Sequence, residues 1–223
     1  MNKLQHTKLV VKELSESIPI IDRGFGIVSH PLIANMHFFD EQKGLVAIDD
    51  KNKEYALRQR LGIIEKCTNI AKILFNINKP YRLYVLILIS DLLSEKNFNK
   101  HLRWIWTSTE YPHQNRSKDL LKLFEKSNRE LIMNKKEKDV FKALSDVVAI
   151  YRGTQSNKAK IRGFSWTLDK EKAIWFSKRF KLNGKVYQAE ILKWDIFFYN
   201  NGRSEEEVVV NPYKLKNVKE VSI

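Results

Sequence analysis

Three short motifs in the last third of the chain carry side chains that can do chemistry together. Tyr151-Arg152-Gly153 ends one apolar run, and Gly163-Phe164-Ser165-Trp166-Thr167 forms the next. Ser204-Glu205-Glu206-Glu207 then leads into Val208-Val209-Val210. The guanidinium is a planar donor fork suited to anionic oxygens, and the Ser165 hydroxyl both donates and accepts. Side chains alternate along a strand, so Glu205 and Glu207 would project to one side and Glu206 to the other. Two same-side carboxylates repel, and one of them should hold its proton more tightly than usual. Each residue alone has a plainer role. An Arg at a strand end is usually a surface cation, a Ser on a strand a hydrogen-bonding filler, and a run of glutamates a solvated turn. These glutamates, however, run straight into three valines, where charge must be tolerated beside a core.

Other chemistries lack their motifs. The chain has neither GxGxxG nor GxxxxGK[ST], so the dinucleotide-binding fingerprint and the phosphate-binding P-loop are both missing. The five histidines (6, 30, 37, 101, 113) have no ligand-like spacing and none follows position 113. A catalytic metal cluster or histidine triad in the last third is therefore not expected.

Elements must bring the three motifs together. Residues 1–48 mix apolar residues with Gly and Pro, and MHFFDEQKGLVAI predicts a short hairpin with Gly44 in its turn. From Asp50, helical spacing places Leu57, Leu61, Ile64, Ile70 and Leu74 mostly on one stripe. A second helix is predicted over about 81–96, then a polar, aromatic connector (RWIWTSTEYPHQN). SKDLLKLFEKSNRELIM, with Ser117 as its N-cap, and KKEKDVFKALSD predict two more helices. Past Asp146 the pattern changes. VVAIYRG and IRGFSWT predict strands, DKEKAIWFSKRF a helix, KVYQAEILKWDIFFYN one or two strands, and EEEVVV another after a turn at 200–202. Helices first and strands last give an α+β fold, with a mainly helical region over 1–145 and a β-rich core over 146–223.

This order of motifs resembles the arginine–serine–glutamate class of ADP-ribosyltransferases. That family has an aromatic–Arg strand, a Ser-x-Ser/Thr strand before an A-x-x-F helix (here Ala173 and Phe176), and an E-x-E turn entering an apolar strand. The resemblance covers residues 147–212. It departs at Trp166, where the family usually has Thr, and only eleven residues follow Pro212. It implies a compact split β-sandwich, the α-helical region serving as a lobe or a partner-binding part, and NAD as co-substrate. Glu207 would hold the ribose 2′-hydroxyl and stabilise the positive charge that builds as the nicotinamide bond breaks. Glu205 would take a proton from the nucleophile. Arg152 would meet the pyrophosphate or its ribose, and Ser165 would bind the nicotinamide-side ribose and orient Glu207. Gly153 and Thr167 complete the implied NAD contacts, with Tyr151, Phe164 and Phe176 packing the nicotinamide pocket.

Bulk composition bounds partners and compartment. The 223 residues are 43% apolar and 11% aromatic, enough for a packed core. A single cysteine, Cys67, excludes an intramolecular disulfide and suits a reducing cytosol. The longest apolar run, 83–93, contains Ser90 and Asp91 and has about half the length a bilayer needs. No signal-peptide core opens the chain. These features point to a cytoplasmic protein without a membrane partner. The charge of +14 divides evenly, +7 in 1–146 and +7 in 147–223. A diffuse positive field attracts NAD, nucleic acid and acidic proteins alike.

The acceptor stays open at this level. The E-x-E form is associated with arginine acceptors on proteins, whereas some relatives modify nucleic acids. The stretch HLRWIWTSTEYPHQNR (101–116) interleaves aromatic and basic residues and would suit RNA or DNA. RNA is favoured, with protein arginine as the alternative. The setting implied is an intracellular toxin or phage-defence effector, restrained by a neutralising antitoxin. Two other classes compete: a cofactor-independent nuclease using the same Glu and Arg set, and a basic nucleic-acid-binding protein without catalysis.

Overall fold

The computed structural model describes residues 1–21, 28–109, 117–154, 161–179 and 184–222. They form two compact units, Met1–Ser117 and Lys118–Ile223. The boundary falls well before the change of pattern at 146. The reason is a set of long-range ties: Arg129 donates to the carbonyls of Trp194, Ile196 and Phe197, and the Asn201 N–H donates to Glu137 Oε1 at 3.0 Å. Helices α7 (Arg129–Ile132) and α8 (Lys135–Ala143) are thereby tied to the strand region, although their sequence reads as helical.

The first unit is built on α4 (Lys79–Ile89), whose Leu83, Val85, Leu86 and Ile89 are fully buried. So apolar a helix turns most of its surface inward, with Leu88 left exposed. Helices α1 (Lys3–Ser17), α3 (Ile70–Asn76) and α5 (Glu95–Ser108) pack on it, and α2 (Lys53–Glu65) packs on α1. The hairpin β1 (His37–Asp40) and β2 (Gly44–Ala47) forms as predicted, with Gly44 at φ +74°.

Several expectations change here. Helix α1 lies where the sequence showed no clear element. The long helix expected from Asp50 is two helices, because Asn69 accepts from Lys72 N and starts α3 afresh. The second helix ends earlier than 96. A 3-10 turn at Ser90–Leu92 follows α4, and Ser94 caps α5 by accepting from Asn97 N. Residues 103–108 of the expected connector are the last turns of α5. Residues 110–115 of it lie outside the described residues. Among the described residues no helix is long and apolar enough to cross a membrane.

The second unit opens with α6 (Ser117–Glu125), which stops where Asn128 caps the short α7 by accepting from Glu130 N, so this stretch is two helices rather than one. An antiparallel six-stranded sheet follows, in the order β6-β7-β4-β3-β5-β8. Its strands are β3 (Val147–Thr154), β4 (Ser165–Thr167), β5 (Lys185–Leu192), β6 (Ile196–Asn200), β7 (Glu207–Val210) and β8 (Lys216–Val221). The chain is α+β. One feature of the sheet positions the site. β3 and β5 pair along their whole length, whereas β3 and β4 share the single register pair Tyr151↔Thr167. The two halves of the sheet are joined at one point and part beyond it. Helix α9 (Lys170–Lys178), capped by Asp169, packs on β3.

Candidate active site

The central group is the Glu207 carboxylate. Glu207 begins β7, opposite Thr167 of β4 on one side and Asn200 of β6 on the other. Residues two apart on a strand share a face, so Ser165 and Thr167 lie on the Glu207 face of β4. Ser165 Oγ donates to Glu207 Oε1 at 2.6 Å, and Asn200 Nδ2 donates to Oε2 at 3.0 Å. The side chain is 4% exposed. A buried carboxylate is stable only with such donors, and two of them fix its orientation.

Arg152 enters from β3. Beyond Tyr151 the strands diverge, and the guanidinium occupies the gap. Its Nη1 donates to the Ser165 carbonyl. Its plane lies against Gly163, where a Cβ would come within 2.8 Å of Cζ, so the space for the guanidinium exists because position 163 has no side chain. Burial lowers its pKa below the ordinary value, and the Glu207 charge acts in the opposite direction. Nε is buried and makes no hydrogen bond among the described residues. Arg152, Ser165 and Glu207 thus form one connected group, bonded from guanidinium to carbonyl and from hydroxyl to carboxylate.

Glu205 reaches the group by a different route from the one expected. Glu205 and Glu206 lie in a turn before β7, with Ser204 at φ 56° and Glu206 at φ 47°. Strand alternation therefore does not relate Glu205 to Glu207. The turn is held by Thr167 Oγ1 donating to Glu205 O (2.8 Å), Leu168 N donating to Glu206 O (3.1 Å) and Glu206 N donating to Asn201 Oδ1 (3.1 Å). Each left-handed residue costs about 1–2 kcal/mol, so these bonds must offset that strain. The Glu205 carboxyl is raised above its usual value, first by burial. Arg203, at 3.0 Å, opposes the rise, Glu207 adds to it, and Arg179 also opposes it. The expected raised carboxylate is present, though burial contributes more than repulsion.

The other anticipated contacts have structural duties. The absent side chain of Gly153 admits α9: a Cβ there would collide with Ala173 O and come within 2.7 Å of Ser177 N. Thr167 Oγ1 also accepts from Asp169 N at 3.1 Å, linking the glutamate turn to the start of α9. Phe164 is buried against Phe124, with ring centroids 5.1 Å apart. Tyr151 is partly buried between Thr167 and Gln188, and Phe176 is partly buried with its ring edge-on to Trp175. Two features lie outside the motifs. Asn200 could have been found by pairing the strands across the 200–206 turn, which sets it opposite Glu207. Trp175 is 55% exposed, with the Arg179 guanidinium 5.3 Å from its ring centre. Among the described residues no cluster of three or more His, Cys, Asp or Glu is placed to hold a metal.

Comparison of the chain with protein-family models, with curated proteins and with solved structures gives no match.

Proposed function

We propose that the chain is an NAD-dependent mono-ADP-ribosyltransferase, with Lys118–Ile223 as a compact split β-sandwich of that kind. The single-point join of β3 to β4 supports the split. The observation that carries the activity is the Glu207 carboxylate, buried and held by Ser165 and Asn200 with Arg152 beside it. A carboxylate fixed in a dry setting stabilises developing positive charge strongly, because it does not have to reorient during the reaction. Breaking the nicotinamide–ribose bond develops that charge on the sugar. The Arg152 guanidinium, bonded to the Ser165 carbonyl beside that carboxylate, is a planar donor fork of the kind that suits an anionic oxygen of NAD. Glu205, with its raised carboxyl beside the group, suits proton removal from the acceptor.

Nucleic acid is the acceptor this surface favours. Arg203 and Arg179 both act on Glu205, and Trp175 offers an exposed ring. Phosphates are attracted to such a rim, whereas a cationic arginine side chain would be repelled. The test is incubation with NAD labelled in its adenylate and cell lysate, followed by separate RNase, DNase and protease digestion. Label lost to RNase or DNase and resistant to protease supports the reading. Label lost to protease moves the acceptor to protein. RNA cleavage without NAD would instead identify a nuclease. The toxin or defence role has its own test: expression of the wild-type chain arrests growth, and Glu207→Gln relieves the arrest.

A further inference from the structure

The positive charge of the first unit is not evenly spread. Residues 1–50 hold five Lys and Arg against seven Asp and Glu. Residues 51–109 hold eleven against four, a surplus of seven. That surplus falls on α2–α5, which also carry a concave apolar surface. A depression of about 380 Å³ lies between α2 and α3, lined by Ile63, Lys66, Ala71, Lys72, Phe75 and Asn76. Ile63 is 41% exposed and Phe75 is 69% exposed. Ile63, Ala71 and Phe75 thus line one contiguous patch rather than standing as scattered single residues.

Phe75 is held in place. Arg82 Nη2 donates to the Phe75 carbonyl at 2.8 Å and Nε to the Ile77 carbonyl at 2.9 Å, which anchors the guanidinium. It lies 5.7 Å from the Phe75 ring centre and 4.9 Å from that of Trp104. The two rings are nearly parallel, 16° apart in plane with centroids 6.5 Å apart. Lys66 and Lys72 flank the depression, and Lys100 lies one turn before Trp104 on the same side of α5. All three lysines are exposed, and none makes an ion pair or side-chain hydrogen bond among the described residues. Glu65, the neighbouring carboxylate in sequence, reaches Lys8 at 3.6 Å instead.

We infer that this face of α2, α3 and α5 binds a single strand of nucleic acid, with unpaired bases stacking on Phe75 and Trp104 and phosphates meeting Lys66, Lys72 and Lys100. Preset rings between unpaired ammonium groups match a polymer that alternates flat apolar bases with anionic linkers. Duplex hides the base faces and satisfies only the lysines. A lipid surface or an acidic protein would use the lysines but has no need of a fixed, anchored ring. The site stands or falls independently of whether the second unit consumes NAD.

The test uses the full chain and dye-labelled 12-nucleotide strands, RNA and DNA, read by fluorescence anisotropy at two salt concentrations. Both strands should bind, because neither the rings nor the ammonium groups read the sugar, and a matched duplex should bind more weakly. Phe75→Ala should weaken single-strand binding by roughly tenfold, the loss expected for one stacked base. The pair Lys66→Gln and Lys72→Gln should lower the slope of log affinity against log salt by about 1.4, at ~0.7 per phosphate released. Phe39→Ala, another exposed ring of the same unit (68% exposed), should change nothing. All these positions are on the surface, so unchanged circular dichroism and melting separate lost binding from lost fold. Equal affinity for duplex and single strand, indifference to Phe75→Ala, or binding confined to phosphatidylserine vesicles would each overturn the inference.

Discussion

At the residue scale the proposal rests on Glu207, and the hydrogen bonds it receives from Ser165 and Asn200 can be removed separately. Ser165→Ala leaves Glu207 Oε1 without its 2.6 Å donor. Losing a hydrogen bond to a charged group costs about 1.5–3 kcal/mol, so the variant should melt lower and turn over NAD roughly 10–100-fold more slowly. Asn200→Ala should behave alike through Oε2, and thermal melting with a nicotinamide-release assay would show both effects. Glu205 predicts a pH dependence. Its folded pKa is raised, so its contribution to stability is fully present below the unfolded carboxyl pKa. It is lost as pH rises through the raised folded value. Activity runs the other way, since proton removal needs the ionised form. The acid limb of the rate profile should therefore lie above an ordinary glutamate near 4.3. Arg203→Met removes a cation that opposes the rise and should shift that limb to still higher pH. An unmoved limb would exclude Glu205 as the base.

Elements explain how residues from three motifs converge, and how far sequence could foresee it. The order strand, strand, helix, strand was legible because β-branched and aromatic runs alternate there with turn residues. Glu207 at the head of β7 was legible for the same reason. The conformation of the preceding turn was not: left-handed Ser204 and Glu206 depend on bonds from Thr167, Leu168 and Asn201. The breaks after α2 and α6 were also hidden, since Asn69 and Asn128 act as caps inside stretches whose apolar spacing continues across them. Gly153 yields a prediction at this scale. Gly153→Ala would push α9 off β3, because the clashing atoms are backbone and cannot rotate away. Overpacking of this kind costs typically 1–3 kcal/mol, and urea unfolding should register at least that loss. Full stability in the variant would mean that α9 packs less closely than described.

At the scale of the molecule, composition foretold a basic chain with a packed core and the order of elements an α+β fold, but neither foretold where its parts divide. Counting charge by halves concealed the segregation within the first unit, because the acidic 1–50 segment masks the basic 51–109 segment. The second unit recruits helices α7 and α8 through Arg129 and Glu137, long-range ties that no local pattern announces. On the proposed function, the buried Glu207 carboxylate, aligned by Ser165 and Asn200, promotes cleavage of the nicotinamide–ribose bond. Nicotinamide release from NAD by the purified chain tests it most directly, comparing the wild type with Glu207→Gln, which keeps the size of the side chain and removes its charge. The wild type should release nicotinamide and the variant should fall by at least about a hundredfold, with circular dichroism unchanged. Equal release by the two, or none from a folded wild type supplied with acceptor lysate, would contradict it.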